Sequence, residues 1–237
     1  MRFGFLALFV LVGCAGPNWI RVSPSDSLPK ERALNVGFLV VDGVYNTELT
    51  APYDIFPHTV FHTQPGMTVF TVSPDGESVR TFEGLNVGVD HSFESAPPID
   101  VLVVPSAEHS MDTDLENDAL IDWVSRVGAD ASFVMSLCDG AFVLAKAGLL
   151  DGRASTTFPS DQARYRETFP HLDVRGGVSF VHDGKTLTSE GGAKSFDVAM
   201  YLVDHVYGEE VARRVGRGLI IDWPPARGAL RATVVQR

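Results

Sequence analysis

One side chain in this sequence is set to carry covalent chemistry: the thiol of Cys138. Cys138 closes the apolar run Val134-Met135-Ser136-Leu137 and is followed by Asp139-Gly140-Ala141, where small residues open a helix-like segment. A strand that turns sharply into a helix lifts one side chain above a sheet and aims the first N–H groups of the helix at it. Such a turn needs Gly or Ala nearby, because larger side chains clash. A thiol held there, once ionised, attacks electrophilic carbon. The same pattern also suits a small buried apolar cysteine, the commonest fate of a free one.

Other chemistry-bearing residues form weaker patterns. Of seven histidines only His58 and His62 have a helix-face spacing that a metal could use, and no carboxylate or cysteine cluster joins them. No metal site is expected. Gly191-Gly192-Ala193-Lys194 lacks the spacing and the Ser/Thr of a phosphate loop, and fits instead a tight entry into a helix. No cofactor is implied. A formal net charge of -11 and the lack of any basic stripe argue against nucleic acid as a partner.

The N-terminus has its own character. Arg2 precedes the apolar run Phe3 to Val12, too short to span a bilayer but suited to the core of a signal peptide. It ends in Leu11-Val12-Gly13-Cys14, similar to the lipobox of bacterial lipoproteins. Residues 1–13 are therefore expected to be a signal peptide, and Cys14 a lipidation site that anchors the chain in the cell envelope without a spanning helix. Residues 14–33, with Pro17, Pro24 and Pro29 and no apolar periodicity, read as a tether. With Cys14 lipidated, Cys138 has no disulfide partner.

From Leu34 the pattern becomes regular. Apolar strands are expected at 34–41, 67–72, 99–104 and 132–137, and helices near 49–61, 114–127, 141–149 and 195–207. Short alternating pieces near 79–89 suggest a small hairpin, and a second hairpin is expected over 174–188 around Asp183-Gly184. Strands apolar throughout and alternating with helices indicate an α/β three-layer sandwich with a mostly parallel central sheet. Ligands bind such folds beyond the carboxyl ends of the strands, where Cys138 and Pro105-Ser106-Ala107 fall.

Several ordered motifs resemble one family: Val36-Gly37-Phe38-Leu39 through Glu48-Leu49-Thr50-Ala51-Pro52-Tyr53-Asp54, the Val103-Val104-Pro105 strand end, the Cys138 turn, Ala147 to Thr157, and Gly192 to Asp197. Together they look like the ThiJ/PfpI family of the class I glutamine amidotransferase-like (flavodoxin-like) fold, in the branch of isonitrile hydratase and the sensor halves of related regulators. The resemblance covers residues 34–225, with 226–237 left as a tail. It implies Cys138 as nucleophile and Glu48 as the neighbouring acid, whose protonated carboxyl would lower the thiol pKa. The backbone N–H groups of Asp139 and Ala107 would be oxyanion donors, and Ser106, Phe158 and Gly192 would line a pocket for a small-molecule substrate.

Departures from the family pattern narrow the chemistry. Asp139 stands where protease-like members have His, which disfavours a Cys-His peptidase. Phe158 replaces a histidine of the hydratase branch, and Ser106-Ala107 replace the usual Gly-Gly. Asp139 is expected either to cap the following helix or to act on the thiol electrostatically. The functions implied are hydration of a small electrophile such as an isocyanide, or a non-catalytic or redox-sensing envelope protein with the same pocket. A homodimer is implied as well. The dozen residues after Trp223-Pro224-Pro225 are too few for the DNA-binding region of the regulators.

Overall fold

The computed structural model describes residues 28–29, 31–226 and 228–235 of the 237. The expected signal peptide, Cys14 and most of the tether lie outside the described residues. The strands are β1 (Leu34–Leu39), β2 (Met67–Ser73), β3 (Val79–Arg80), β4 (Asn86–Val87), β5 (His91–Ser92), β6 (Val101–Val104), β7 (Phe133–Leu137), β8 (Ala154–Ser155), β9 (Asp173–Val174), β10 (Phe180–Asp183), β11 (Thr186–Ser189) and β12 (Ala232–Val235). The helices are α1 (Asn46–Ile55), α2 (Asp118–Asp130), α3 (Gly140–Lys146), α4 (Gln162–Thr168), α5 (Lys194–Tyr207) and α6 (Glu209–Leu219).

Eight strands form the central sheet in the order β12-β10-β11-β7-β6-β1-β2-β5. Every neighbouring pair is parallel except the β10–β11 hairpin. Burial on both faces explains the unbroken apolar strands. In β6, Val101 and Val103 join one core with α1, α5 and α6, while Leu102 and Val104 join the other with α2, α3 and α4. The expected three-layer sandwich is the fold observed.

Element boundaries depart from the sequence reading for local reasons. The helix expected over 49–61 is α1 followed by a 3₁₀ turn at Pro57–Phe61, because Pro57 has no N–H with which to continue the ladder. The helix expected from Asp114 starts at Asp118, where the Asn117 side chain accepts the Leu120 N–H at 3.2 Å. Residues 226–237, expected to be a tail, contribute β12, which pairs in parallel with β10 and completes one sheet edge. Helix α6 was hidden by its polarity. It is held on its exposed face by the i,i+4 pairs Glu209–Arg213 and Glu210–Arg214.

The parallel register brings the carboxyl ends of β1, β6, β7 and β11 to one rim. Leu137 of β7 lies beside Ser189 of β11, and Ser136 beside Val104 of β6. The turn from β7 into α3 is tight enough that a Cβ at Gly140 would be driven into the Val104 carbonyl oxygen and would sit 3.0 Å from its carbon. Backbone cannot give way there as a flexible side chain can. Gly140→Ala is therefore expected to destabilise the fold by about 3 kcal/mol, read as a lowered urea midpoint. Gly88→Ala, where a Cβ would meet nothing within 4 Å, should leave the midpoint nearly unchanged.

Candidate active site

Cys138 sits at the rim with φ 53, left-handed backbone that side chains other than Gly, Asn and Asp rarely adopt. The conformation costs about 1–3 kcal/mol, and its neighbours enforce it. The Cys138 N–H donates to the Ser189 carbonyl at 3.0 Å, and its own carbonyl accepts the Thr157 hydroxyl at 3.1 Å. Gly191, at φ +76, packs against it so closely that a Cβ there would lie 2.7 Å from the Cys138 nitrogen and 2.8 Å from its Cα. Strain held this firmly places the sulfur above the sheet, where the sequence pattern put it.

Glu48 reaches the same point from the first turn of α1 and is buried. Its Oε1 accepts the Gly192 N–H at 3.1 Å, while Oε2 is buried with no hydrogen-bond partner among the described residues. Burial pushes the Glu48 pKa up to about 7 and the Asp139 charge adds to the rise, against the opposing Gly192 N–H and Cys138 thiol. At neutral pH this acid holds a proton for much of the time. The thiol responds in the opposite sense to the sequence expectation. Burial, reinforced by the charges of Glu48 and Asp139 when they are ionised, pushes the Cys138 thiol up from its ordinary value.

Asp139 resolves the two roles left open for it. It occupies the position that caps α3, yet its side chain makes no capping hydrogen bond to that helix. The carboxylate turns instead to the site: Oδ2 accepts the Cys138 Sγ–H at 3.7 Å, and Oδ1 accepts the Thr157 hydroxyl at 2.8 Å. Burial raises the Asp139 pKa to about 6, opposed by the Thr157 hydrogen bond.

The remaining expected residues divide. Ser106 is buried beside the pair, with its Oγ unpartnered among the described residues. The Gly192 N–H is the donor to Glu48, and a Cβ at Gly192 would meet nothing within 4 Å, so the backbone there borders open space. The Asp139 N–H faces the sulfur. The Ala107 N–H does not: it donates to the Ser110 hydroxyl at 2.8 Å and is already used. Ala107 is instead held in the rim by a bridge to Val44. Phe158 follows Thr157 and is 40% exposed.

Thr157, at the end of the Ala147 to Thr157 motif, hydrogen-bonds both the Cys138 carbonyl and the Asp139 carboxylate. A Thr-Thr pair between a short strand and a Pro carries no mark of its hydrogen-bond partners. The sequence places Gly191 in a tight helix entry, and consecutive glycines there also signal close backbone approach.

A strained cysteine between a parallel strand and a helix, with a buried carboxylic acid delivered from the β1–α1 connection, defines a site class found on α/β sandwiches of this kind. The chain belongs to the DJ-1/PfpI family, whose pattern matches residues 34–205. It is 31% identical to isonitrile hydratase from Pseudomonas putida over 197 residues, covering 82% of this chain and 80% of that protein. It is also 29% identical to the HTH-type transcriptional regulator CdhR from Pseudomonas aeruginosa, over 63% of this chain but 44% of the regulator. Among solved structures, a ThiJ/PfpI family protein from Pseudomonas syringae superposes with TM-score 0.73 at 20% identity, covering 86% of this chain and 81% of that one, a likeness of fold.

Proposed function

We propose that this protein is a cysteine-dependent hydratase acting on small isonitriles. The observation that carries this reading is the buried Cys138–Glu48 pair, in which a strained thiol faces an acid whose pKa of about 7 lets it both give and regain a proton near neutrality. Hydration of an isonitrile needs that pairing, because its terminal carbon must gain a nucleophile and a proton together. As the Cys138 sulfur forms the bond to carbon, its proton passes to the Glu48 carboxyl and the carboxyl's own proton goes to the same carbon, giving a thioimidate. Water then adds to that carbon, one of its protons passing through Glu48 to the substrate nitrogen, and collapse expels the sulfur, which regains a proton from the hydroxyl group and leaves an N-substituted formamide. The 31% identity to isonitrile hydratase over most of both chains supports the same chemistry.

The redox-sensing alternative is less well supported, since the Cys138 sulfur is buried and little exposed to peroxide in solvent. The test is to incubate the protein with cyclohexyl isocyanide, following formamide by NMR and Cys138 by intact-mass analysis. Catalytic formamide production with a transient adduct one isocyanide heavier supports the reading. Stoichiometric alkylation without release, or no reaction, would overturn it.

The lipobox-like Leu11-Val12-Gly13-Cys14 supports placement of this activity on an envelope lipoprotein. Cys14→Ser is expected to move the protein from the membrane fraction to the soluble fraction, and unchanged partition would remove the anchor. The half-exposed Phe82 and Leu85 on the β3–β4 hairpin, next to the Tyr45 ring that Phe82 packs against, support a homodimer. Sedimentation at a monomer mass would exclude it.

A further inference from the structure

Five buried side-chain oxygens form no hydrogen bond among the described residues: Glu48 Oε2, Ser106 Oγ, Ser136 Oγ, Ser195 Oγ and Tyr207 Oη. A buried polar atom left unpaired is costly, so each needs a reason. Glu48 and Ser106 face the same sulfur, one from the first turn of α1 and the other from the loop after β6. We propose that Ser106 is a catalytic residue whose hydroxyl donates to the oxygen that water adds to the thioimidate carbon, the role that the Ala107 N–H was expected to fill.

The backbone around Ser106 is pinned. Its carbonyl accepts the Tyr45 N–H at 3.0 Å, and the next N–H, that of Ala107, is spent on the Ser110 hydroxyl at 2.8 Å. The Pro105 carbonyl before it lies against Gly140, where a Cβ would come within 3.1 Å of that oxygen. A serine on so fixed a backbone has only χ1 left to turn. Ser106 is 1% exposed, so bulk solvent does not satisfy its Oγ. The hydroxyl stands near enough to Cys138 Sγ to act on it, and the Ser106 N–H faces the Glu48 carboxyl, yet Oγ itself is hydrogen-bonded to nothing. A hydroxyl whose role was to hold the sulfur would already be bonded to it. This one keeps its proton uncommitted beside the sulfur, where an acceptor oxygen on a carbon joined to Sγ would meet it. The family pattern has glycine at this position, so the hydroxyl is particular to this chain.

The inference rests on the hydration proposed above and concerns its second half. Water brings its oxygen to the thioimidate carbon, and one of its protons passes through Glu48 to the substrate nitrogen. One carbon then carries single bonds to sulfur, nitrogen and oxygen. In the collapse the C–S bond breaks with its electron pair going to sulfur, the remaining O–H proton goes to sulfur as well, and the C=O bond of the formamide forms. Negative charge builds on the oxygen as that proton leaves, and a donor already in place stabilises it. The Ser106 proton never leaves its own oxygen, so the balance of the reaction is unchanged. An isonitrile carbon bears no oxygen, so this donor has nothing to act on while sulfur attacks. Its effect is confined to the step in which water has added.

The test compares Ser106→Ala with wild type in two reactions of Cys138, both followed by intact mass. Alkylation by iodoacetamide displaces iodide from a carbon that bears no oxygen, so its rate should stay within about threefold of wild type. Loss of an acetyl group loaded onto Cys138 from p-nitrophenyl acetate passes through an oxyanion, and should slow by about 10²-fold. With cyclohexyl isocyanide the adduct should form at the wild-type rate and persist about 10²-fold longer. The urea midpoint should equal or exceed that of wild type, because the variant removes an unpaired buried hydroxyl. Acetyl loss within about threefold of wild type would overturn the assignment. Alkylation slowed as much as acetyl loss would overturn it too, by placing the hydroxyl on sulfur, and so would a wild-type Cys138 that takes no acetyl group. Should Ser106→Ala not fold, Ser106→Gly is read in the same way. Formamide assays keep the two readings apart. Slow acetyl loss in the variant with no formamide from wild type sinks the isonitrile reading alone, whereas formamide from wild type with unchanged acetyl loss in the variant sinks this one alone.

Discussion

Cys138→Ser is expected to lower isonitrile turnover by at least about 10³-fold while leaving the unfolding free energy within about 1 kcal/mol of wild type. The two parts have separate causes. Serine fits the space of the thiol, and the backbone contacts that force φ 53 involve Ser189, Thr157 and Gly191 rather than sulfur, so the strained turn survives the substitution. The hydroxyl, however, is a far weaker acid and nucleophile than a thiol. The bases at hand are carboxylates with pKa values of about 6 and 7, too weak to draw a proton from an alcohol. Steady-state formamide production checks the first part and equilibrium unfolding the second. Turnover within tenfold of wild type would show that the sulfur forms no bond to substrate, and a large loss of stability would make the activity measurement uninformative about chemistry.

What the sequence disclosed and what it concealed divide along physical lines. Strands β1, β2, β6 and β7 were legible because burial on both faces demands unbroken apolar runs, and the Cys138 turn because small residues must follow a strand that bends so sharply. Position 48 was legible only through the family resemblance, since an acidic residue in a first helical turn is equally well explained by the helix dipole. The electrostatics of the site could not be read at all. Whether Glu48 lowers or raises the Cys138 pKa depends on how far both are buried, and burial wins. The Ala107 N–H was assigned to the oxyanion site by analogy, but the hydroxyl three residues on takes it, a local closure made by Ser110. Strand β12 escaped because an edge strand of four half-buried residues owes its conformation to the neighbour it pairs with, not to its own pattern.

Glu48→Gln is expected to separate function from stability with opposite signs. Turnover should fall by about 10²–10⁴-fold, because the amide has no proton to give to the isonitrile carbon and cannot take one from water. Stability at pH 8 should rise. In the folded protein Glu48 holds its proton up to about 7, against 4.5 for the unperturbed group. Between those values the folded state binds more protons than the unfolded state, so wild-type stability is fullest below pH 4.5, declines through this window and levels off above 7. The total loss is about 3 kcal/mol. Gln has no charge to bury and escapes that loss, while its side-chain oxygen can still accept the Gly192 N–H. Asp139, raised from 3.8 to about 6, declines in the same direction in both proteins and cancels from their difference. The unfolding free energies should therefore agree near pH 4.5 and diverge as pH rises, with the variant the more stable. Curves that stay parallel from pH 4.5 to 8 would mean that Glu48 ionises near its ordinary value, and the acid assigned to the isonitrile carbon would have to be another group.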